Sequence, residues 1–234
     1  IDQSVSVGIP QDMCTLPLVE VGVAVEHEYP DLGSCWLCNN NPCDANMMDN
    51  AAMYRELSDN GRKAVHAFVT PLMYDDPTTK ELAVHEVYSA IEFLEEQLGQ
   101  KFDWEAFKAG IERVNQVTRE ELERWDIYAT TNVIGLNAVC QGFFRIYFYQ
   151  QSANRHFERE SAKILALFYK GVEKGVNTVP HARHRAVAWS CGSTYNCQVA
   201  NWLYTCWGIA VVINMDSLTG HNLVDTEDRD TMMS

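Results

Sequence analysis

The sequence lacks an excess of positive charge. Its 18 lysine and arginine residues are outnumbered by 32 aspartate and glutamate residues, which gives the 234-residue chain a formal net charge of −14. Such a chain has no basic surface that could displace counterions from a phosphate backbone, so we expect no nucleic-acid partner. An unbroken apolar run of the roughly 20 residues that a membrane span requires is also missing, since polar side chains interrupt the longest apolar stretch, residues 129–149. We therefore expect no membrane span.

Several catalytic motifs are missing as well. The chain has no G-x-G-x-x-G or G-x-x-x-x-G-K-S/T phosphate loop and no G-x-S-x-G nucleophile elbow. His85-Glu86 lacks the second histidine of H-E-x-x-H, and His181-x-x-His184, with its neighbouring arginines, is predicted to be a solvated basic turn. The first residues show no pattern of a secretory signal, so we expect a cytoplasmic protein with reduced thiols.

What the sequence does contain is a group of cysteines near its start. Of 8 cysteines, Cys14, the pair Cys35-x-x-Cys38 and Cys43 lie within the first 43 residues. If the chain turns at residues 39–42, one metal centre could gather the last three. Thiolate ligands favour zinc or an iron–sulfur cluster. The spacing does not decide between these two metal centres, and it also allows the third alternative that the cysteines are buried free thiols. A structural role is predicted for Cys140, Cys191, Cys197 and Cys206. Of these four, Cys140 and Cys206 are expected to be buried.

Alternating apolar runs and polar turns over residues 1–77 predict part of a first α/β domain. A short helix is predicted over residues 17–26. After it, a strand over 33–37 leads through the cysteine turn to a helix over 44–57 and a strand over 64–69. This order is that of a βαβ crossover. Because open parallel sheets place ligands beyond the carboxyl ends of their strands, the cysteine turn is a candidate functional site.

The rest of the chain is predicted to hold a helical insertion over residues 78–179 and the start of a second α/β domain over residues 180–234. Apolar residues at helical spacing and capping signals predict four helices, over residues 78–99, 103–125, 131–151 and 156–175. The second domain is predicted to contain a strand over 186–190, a helix over 195–207 and a strand over 209–215. We expect an α/β protein in which Rossmann-like βαβ units with parallel sheets flank the helical insertion, the second domain being incomplete.

Short motifs in these segments match a known family. They are Asp12-Met13-Cys14, Tyr29-Pro30-Asp31 and Asn40-Asn41-Pro42-Cys43-Asp44, followed by further matches over residues 90–101 and 210–216. Their order and spacing resemble the family of 2-hydroxyacyl-CoA dehydratases and benzoyl-CoA reductases over most of the chain. Family subunits are longer, with two Rossmann-like domains and a helical portion, so the resemblance implies that this chain is an internal piece of a subunit.

The resemblance implies an iron–sulfur subunit of an ATP-activated radical enzyme. Such an enzyme acts on a CoA thioester, by dehydrating a 2-hydroxyacyl-CoA or by reducing an aromatic acyl-CoA. Matched by motif, Cys14 is the first cluster ligand and Cys43 the second. The third family cysteine has no match before Ser234, so either a segment beyond that residue supplies it or Cys38 or Cys35 takes its place. We expect a 4Fe-4S cluster, and the additional C-x-x-C leaves a double-cubane cluster open.

The resemblance also implies partners, namely a related family subunit in a heterodimer and a separate ATP-hydrolysing iron–sulfur activase. Two alternatives stay open: a double-cubane-cluster reductase of small molecules, and a non-catalytic partner subunit that holds a structural metal. Substrate contacts are predicted for Ser190, Ser193 and Asn196, in a segment that follows the carboxyl end of a predicted strand.

Overall fold

The computed structural model describes most of the chain, in two compact units. The described residues are 2–26, 35–40, 44–59, 61, 63–69, 76–136, 140, 144, 148, 151–188, 197–214 and 222–233. Unit 1 consists of residues 1–103 and 229–234, and unit 2 of residues 104–228. The domain limits inferred from the sequence, after residues 77 and 179, stay a prediction.

Helices alternate with short parallel strands, which confirms the predicted α/β class. The helices are α1 (Asp2–Ser6), α2 (Thr15–Val25), α3 (Asp44–Met53), α4 (Pro77–Leu98), α5 (Trp104–Thr130), α6 (Arg155–Lys174), α7 (Cys197–Trp207) and α8 (Arg229–Met232). The strands are β1 (Cys35–Asn40), β2 (Ala64–Val69), β3 (His184–Ala188) and β4 (Ile209–Asn214). A π-helical turn over Tyr54–Asp59 continues α3.

In unit 1, β1 and β2 pair in parallel on either side of α3, as the predicted crossover requires. Cys35 lies opposite Ala64, and Asn40 lies opposite Val69. The strand β2 has the predicted bounds, and the described part of β1 extends to Asn40, beyond the predicted end at residue 37. The physical reason is pairing, because bonds to β2 keep Cys38, Asn39 and Asn40 extended where the sequence alone suggested a turn.

The two faces of this sheet contact different helices. Trp36 and Cys38 pack against the core cluster that contains Val65 of β2. On the opposite face, the ring of His66 stacks on Phe93 of α4 with centroids 5.1 Å apart. The strands therefore lie between helices on both sides, as side-chain alternation along a strand dictates. The buried core on the first face includes Leu18 and Val21 of α2 with Ala52, Met53 and Leu57.

The long helix α4 has a defined signal at each end. Asp76 caps its start, because the Asp76 Oδ1 atom accepts a hydrogen bond from the Thr78 N–H at 3.0 Å, and Pro77 occupies the first turn. The helix therefore begins at Pro77, one residue before the predicted start at residue 78. Gly99, with φ at 64°, ends the helix as predicted, and its N–H donates to the Glu95 carbonyl.

In unit 2, α5 and α6 pack side by side around a buried arginine. The Arg124 side chain is 2% exposed, and its Nε donates to the Glu121 carboxylate at 2.9 Å. Its Nη1 donates to the Ser161 hydroxyl at 3.3 Å, while the guanidinium lies over the Phe144 ring, 4.4 Å from the centroid. The charge is paired and hydrogen-bonded, which is the condition for burying it.

The strands β3 and β4 also pair in parallel, with α7 between them in sequence. His184 lies opposite Ile209, and the register shifts after Ala186 so that Val187 lies opposite Ile213. The described part of β3 begins two residues before the predicted start. The backbone N–H groups of Arg183 and His184 both donate to the Gly208 carbonyl, which brings this start beside β4.

The predicted helix over 131–151 is wrong in its first part, because residues 131–136 are not helical. Their backbone groups bond to the loop after α6 instead. The Ile134 carbonyl accepts the Thr178 N–H at 3.1 Å, and Asn177 both accepts from the Ile134 N–H and donates to the Asn132 carbonyl. Cys140, Phe144 and Phe148 do have helical backbone.

Cys140 and Cys206 are exposed, so the prediction that they are buried is wrong. Cys206 lies on the outward side of α7 with Val199 and Trp202, which are 42% and 52% exposed. Both cysteines belong to segments that are apolar on several sides, and such composition does not tell which side is covered.

Among the described glycines of unit 2, Gly135 is the one where an added Cβ atom would approach a neighbour most closely. A Cβ atom there would lie 2.5 Å from the fully buried ring of Phe168. We expect Gly135→Ala to lower the free energy of unfolding by about 1–3 kcal/mol, since neither the ring nor the segment has room to move. Urea unfolding checks this. Gly110→Ala is the matched control, because its Cβ would meet Ala153 at an ordinary 3.6 Å; an equal loss in both variants would contradict the packing argument.

Candidate functional site

The carboxyl ends of β1 and β2 meet at one edge of the sheet, and the cysteine turn follows that edge. Because the strands are parallel, Asn40 and Val69 end side by side. In the sequence, Cys43 directly precedes Asp44, the first residue of α3. Residues 41–43 lie outside the described residues, so the predicted role of Cys43 is neither supported nor contradicted by geometry.

Cys14 lies at the N-terminus of α2. It occupies the N-cap position, yet its side chain makes no capping hydrogen bond, and the residue is exposed. The thiol is therefore accessible to a ligand. The first turn of a helix carries partial positive charge from its unpaired N–H groups, which stabilises an anionic ligand group nearby.

Cys35 and Cys38 both lie on β1, but their side chains point to opposite faces. An offset of three residues along a strand reverses the direction of the side chain. Cys38 packs with Trp36 against the core of unit 1, and its Sγ donates to the His66 carbonyl at 3.5 Å. A C-x-x-C pair held in this way does not present two thiolates to one metal ion.

The surroundings of Cys38 keep its thiol protonated. Burial raises the pKa of Cys38 to about 11, and the negative charges of Asp49 and Glu20 add to the shift. A metal ligand must be a thiolate, so this environment opposes ligation. Within the described residues, no group of three or more histidine, cysteine, aspartate or glutamate side chains is arranged to hold a metal ion.

Asp49 and Glu20 form an acidic pair between α3 and α2 that the sequence did not reveal. Asp49 is 4% exposed, and its Oδ1 atom has no hydrogen-bond partner among the described residues. Burial raises the pKa of Asp49 to about 7, helped by a hydrogen bond with the Glu20 side chain and by the Glu20 charge. Asp49 lies within a predicted helix, but only the packing of α2 against α3 puts a second carboxyl beside it.

The basic residues His181, Arg183, His184 and Arg185 are exposed, as predicted, and the two arginines also bond to backbone carbonyls. The Nη2 atom of Arg183 donates to the Trp207 carbonyl at 3.2 Å, at the end of α7. Arg185 bonds through Nη1 to the Thr131 carbonyl at 3.1 Å and through Nη2 to the Tyr128 carbonyl. These guanidinium groups satisfy carbonyls at helix C-termini, where cations are stabilising.

The predicted substrate contacts Ser190, Ser193 and Asn196 lie outside the described residues. Their segment follows β3 in sequence and precedes α7. The proposed contacts therefore stay predictions. In the part of the chain that the structure covers, no helix combines the length and the apolar character of a membrane span.

Two βαβ units, each with a pair of parallel strands, define an α/β protein, and its candidate site rests on the cysteines near the start of the chain. The comparisons with known proteins identify its family. The model of the family described as 2-hydroxyglutaryl-CoA dehydratase, D-component, matches residues 1–234. The chain belongs to this family, which makes it a subunit of a 2-hydroxyacyl-CoA dehydratase-type enzyme and confirms the resemblance described above. A comparison with curated proteins finds no match.

The Asp49 carboxyl makes the stability of unit 1 depend on pH. Its pKa of about 7 in the folded state exceeds the ordinary value of 3.8, so its favourable contribution is complete below about pH 4 and is lost as the pH rises through 7. We expect Asp49→Asn to flatten the fall in the free energy of unfolding between about pH 4 and 7, by up to about 1.4 kcal/mol per pH unit. Urea unfolding at several pH values measures the slope.

Glu92→Gln is the control for this experiment, since Glu92 is an exposed carboxyl in the middle of α4. It should leave the pH dependence of the wild-type chain unchanged. Parallel pH profiles for the wild type and Asp49→Asn would show that the acidic pair does not govern stability.

Proposed function

We propose that the chain is the iron–sulfur-binding subunit of an enzyme that dehydrates a 2-hydroxyacyl-CoA thioester, with Cys14 and Cys43 as two cluster ligands. The observation that carries the proposal is the family match over residues 1–234, together with an accessible thiol at Cys14. The ligand roles follow from the family motifs around the two cysteines. Reduction of an aromatic acyl-CoA is the related reaction that the resemblance leaves open.

The described thiols differ in how well they suit a cluster. Cys14 is exposed at a helix N-terminus, and its side chain makes no capping hydrogen bond. This position suits an anionic sulfur ligand. Cys38 is held as a thiol by burial and by neighbouring carboxylates, and Cys35 points away from it. We therefore favour Cys14 over both residues of the C-x-x-C pair, and this also counts against a double-cubane cluster built on that pair.

A cluster held by three thiolates supplies an open iron that can act as a Lewis acid toward a substrate oxygen and can transfer one electron at low potential. The chain's own contribution is to fix the ligands. Leu18 and Val21 anchor α2 in the core of unit 1, which holds the first turn of the helix, and with it Cys14, in place. The pairing of β1 with β2 fixes the end of β1 at Asn40, three residues before Cys43.

The proposal includes partners that the family resemblance implies. A related subunit completes a heterodimer, and a separate ATP-hydrolysing iron–sulfur activase delivers the electron in the cytoplasm. Ser190, Ser193 and Asn196 are the proposed contacts to the thioester substrate. A non-catalytic partner subunit with a structural metal is the competing function, which the N-terminal cysteines leave open.

Replacing the proposed ligands tests the cluster directly. We expect Cys14→Ser and Cys43→Ser each to lower bound iron and sulfide several-fold after anaerobic purification, because serine does not replace a cluster thiolate efficiently. Iron and sulfide analysis with visible absorption gives the measurement. Cys206→Ser, which alters an exposed cysteine of unit 2, should keep the wild-type iron content.

Other outcomes identify the alternatives. A colourless wild-type chain that holds zinc and no iron contradicts the proposal. Variants that lose their metal and also unfold point to the structural role, whereas a catalytic cluster predicts an assembled but inactive heterodimer. An iron content about twice that of a single cubane indicates the double-cubane reductase.

A further inference from the structure

A cleft of about 530 Å³ lies between α5 and α6 in unit 2, on a surface to which neither the sequence nor the proposed function assigns a role. It is lined by Ala109, Glu112, Arg113, Arg155, Glu158 and Arg159. Arg155 and Arg159 are one helical turn apart, so they share a face of α6. Arg113 approaches from α5. Three guanidinium groups therefore line one cleft of a chain whose net charge is −14.

None of these three arginines forms an ion pair with another described residue. The ion pairs among the described residues use other side chains, as in Arg124–Glu121 and Lys163–Glu160. The Nε atom of Arg113 donates to the Ala153 carbonyl at 2.5 Å, just before α6, and this bond fixes its guanidinium beside that helix. Arg155 and Arg159 are exposed, so they keep their side chains available to a ligand.

The chemistry of the cleft favours a small phosphate-bearing ligand. A guanidinium group presents parallel N–H donors that match two phosphate oxygens, and its charge is permanent. With Glu112 and Glu158 counted, the formal charge of the lining is 3 − 2 = +1. The two carboxylates limit attraction to long polyanions while leaving the guanidinium groups to bind an individual phosphate.

A second cavity, of about 470 Å³, borders the neighbouring side of the same two turns of α6. Leu136, Phe144, Phe157 and Ile164 supply its apolar lining, and His156 and Glu160 also contribute to the wall. Residues 155 and 159 thus line one cavity while residues 156, 157 and 160 line the other. The apolar lining of this second cavity suits an uncharged group of a ligand.

We propose that the cleft at Arg113, Arg155 and Arg159 binds the phosphate groups at the nucleotide end of the CoA thioester. The identity of the ligand rests on the proposed function, because a CoA thioester carries a 3′-phosphate and a diphosphate at one end and an uncharged pantetheine arm at the other. The positive cleft provides a local surface that attracts this anionic end in a chain whose net charge is negative.

Binding of adenosine 3′,5′-bisphosphate to the full chain tests the proposal, since this probe has the nucleotide end without the thioester. Calorimetry should give a Kd that rises about ten-fold or more in the double variant Arg155→Glu/Arg159→Glu. The control is Arg119→Glu/Lys170→Glu, which makes the same change in net charge at two exposed positions outside the cleft. Its Kd should stay within about two-fold of the wild type, because distant charges are screened.

The inference is overturned if the bisphosphate does not bind, or if both double variants weaken it equally. Inorganic phosphate serves as the second probe. If phosphate binds as tightly as the bisphosphate and with the same dependence on the arginines, the site takes phosphate alone and the assignment to CoA is wrong. In the assembled enzyme, the cleft variant should raise the KM for the thioester and leave kcat unchanged.

The same experiment separates this inference from the proposed function. Binding of the bisphosphate requires no iron. A chain that holds iron but does not bind the probe refutes the proposed phosphate-binding cleft and leaves the proposed cluster unaffected. A chain that binds the probe through its arginines but never acquires iron refutes the proposed cluster and supports the phosphate-binding cleft.

Discussion

The parallel pairing of β1 with β2 is the constraint on which unit 1 depends. Two parallel strands cannot be joined by a tight turn, so α3 must cross over between them. The pairing also brings Asn40 and Val69 to one edge, which is where the segment leading to Cys43 leaves the sheet. The register decides which side chains face the core, because a slip of one residue would exchange the two faces. Trp36 and Cys38 would then leave the core of unit 1.

Local signals were sufficient for part of the fold. The strand β2 and the end of α4 at Gly99 follow from apolar patterning and a glycine stop, which act within a few residues. The polar residues Asn39 and Asn40 suggested a turn, and only the bonds to β2 keep them extended. Residues 131–136 carry a helical apolar pattern, yet their backbone is held by Asn177 and Thr178, more than 40 residues away in sequence. Such distant partners have no local signature.

Part of the candidate site could likewise be predicted from the sequence, and part depends on contacts between distant residues. The motifs around Cys14 and Cys43 led to the family, and the family match confirms that inference. The C-x-x-C pair was ambiguous in the sequence, because its meaning depends on whether it lies in a turn or in a strand. The acidic pair of Asp49 and Glu20 was hidden altogether, since the two carboxyl groups come together only when α2 packs on α3. The sequence does not show whether a single carboxyl within a helix is buried or exposed.

The strand conformation of Cys35 and Cys38 has a consequence for oxidation. A strand advances about 3.3 Å per residue, so the two Cα atoms are separated by about 10 Å. A disulfide requires Cα atoms closer than about 7 Å. In a turn or at the start of a helix, a C-x-x-C pair can close into a disulfide; here the sheet holds the two thiols apart. Oxygen therefore has no intramolecular route to a Cys35–Cys38 bridge unless β1 first separates from β2.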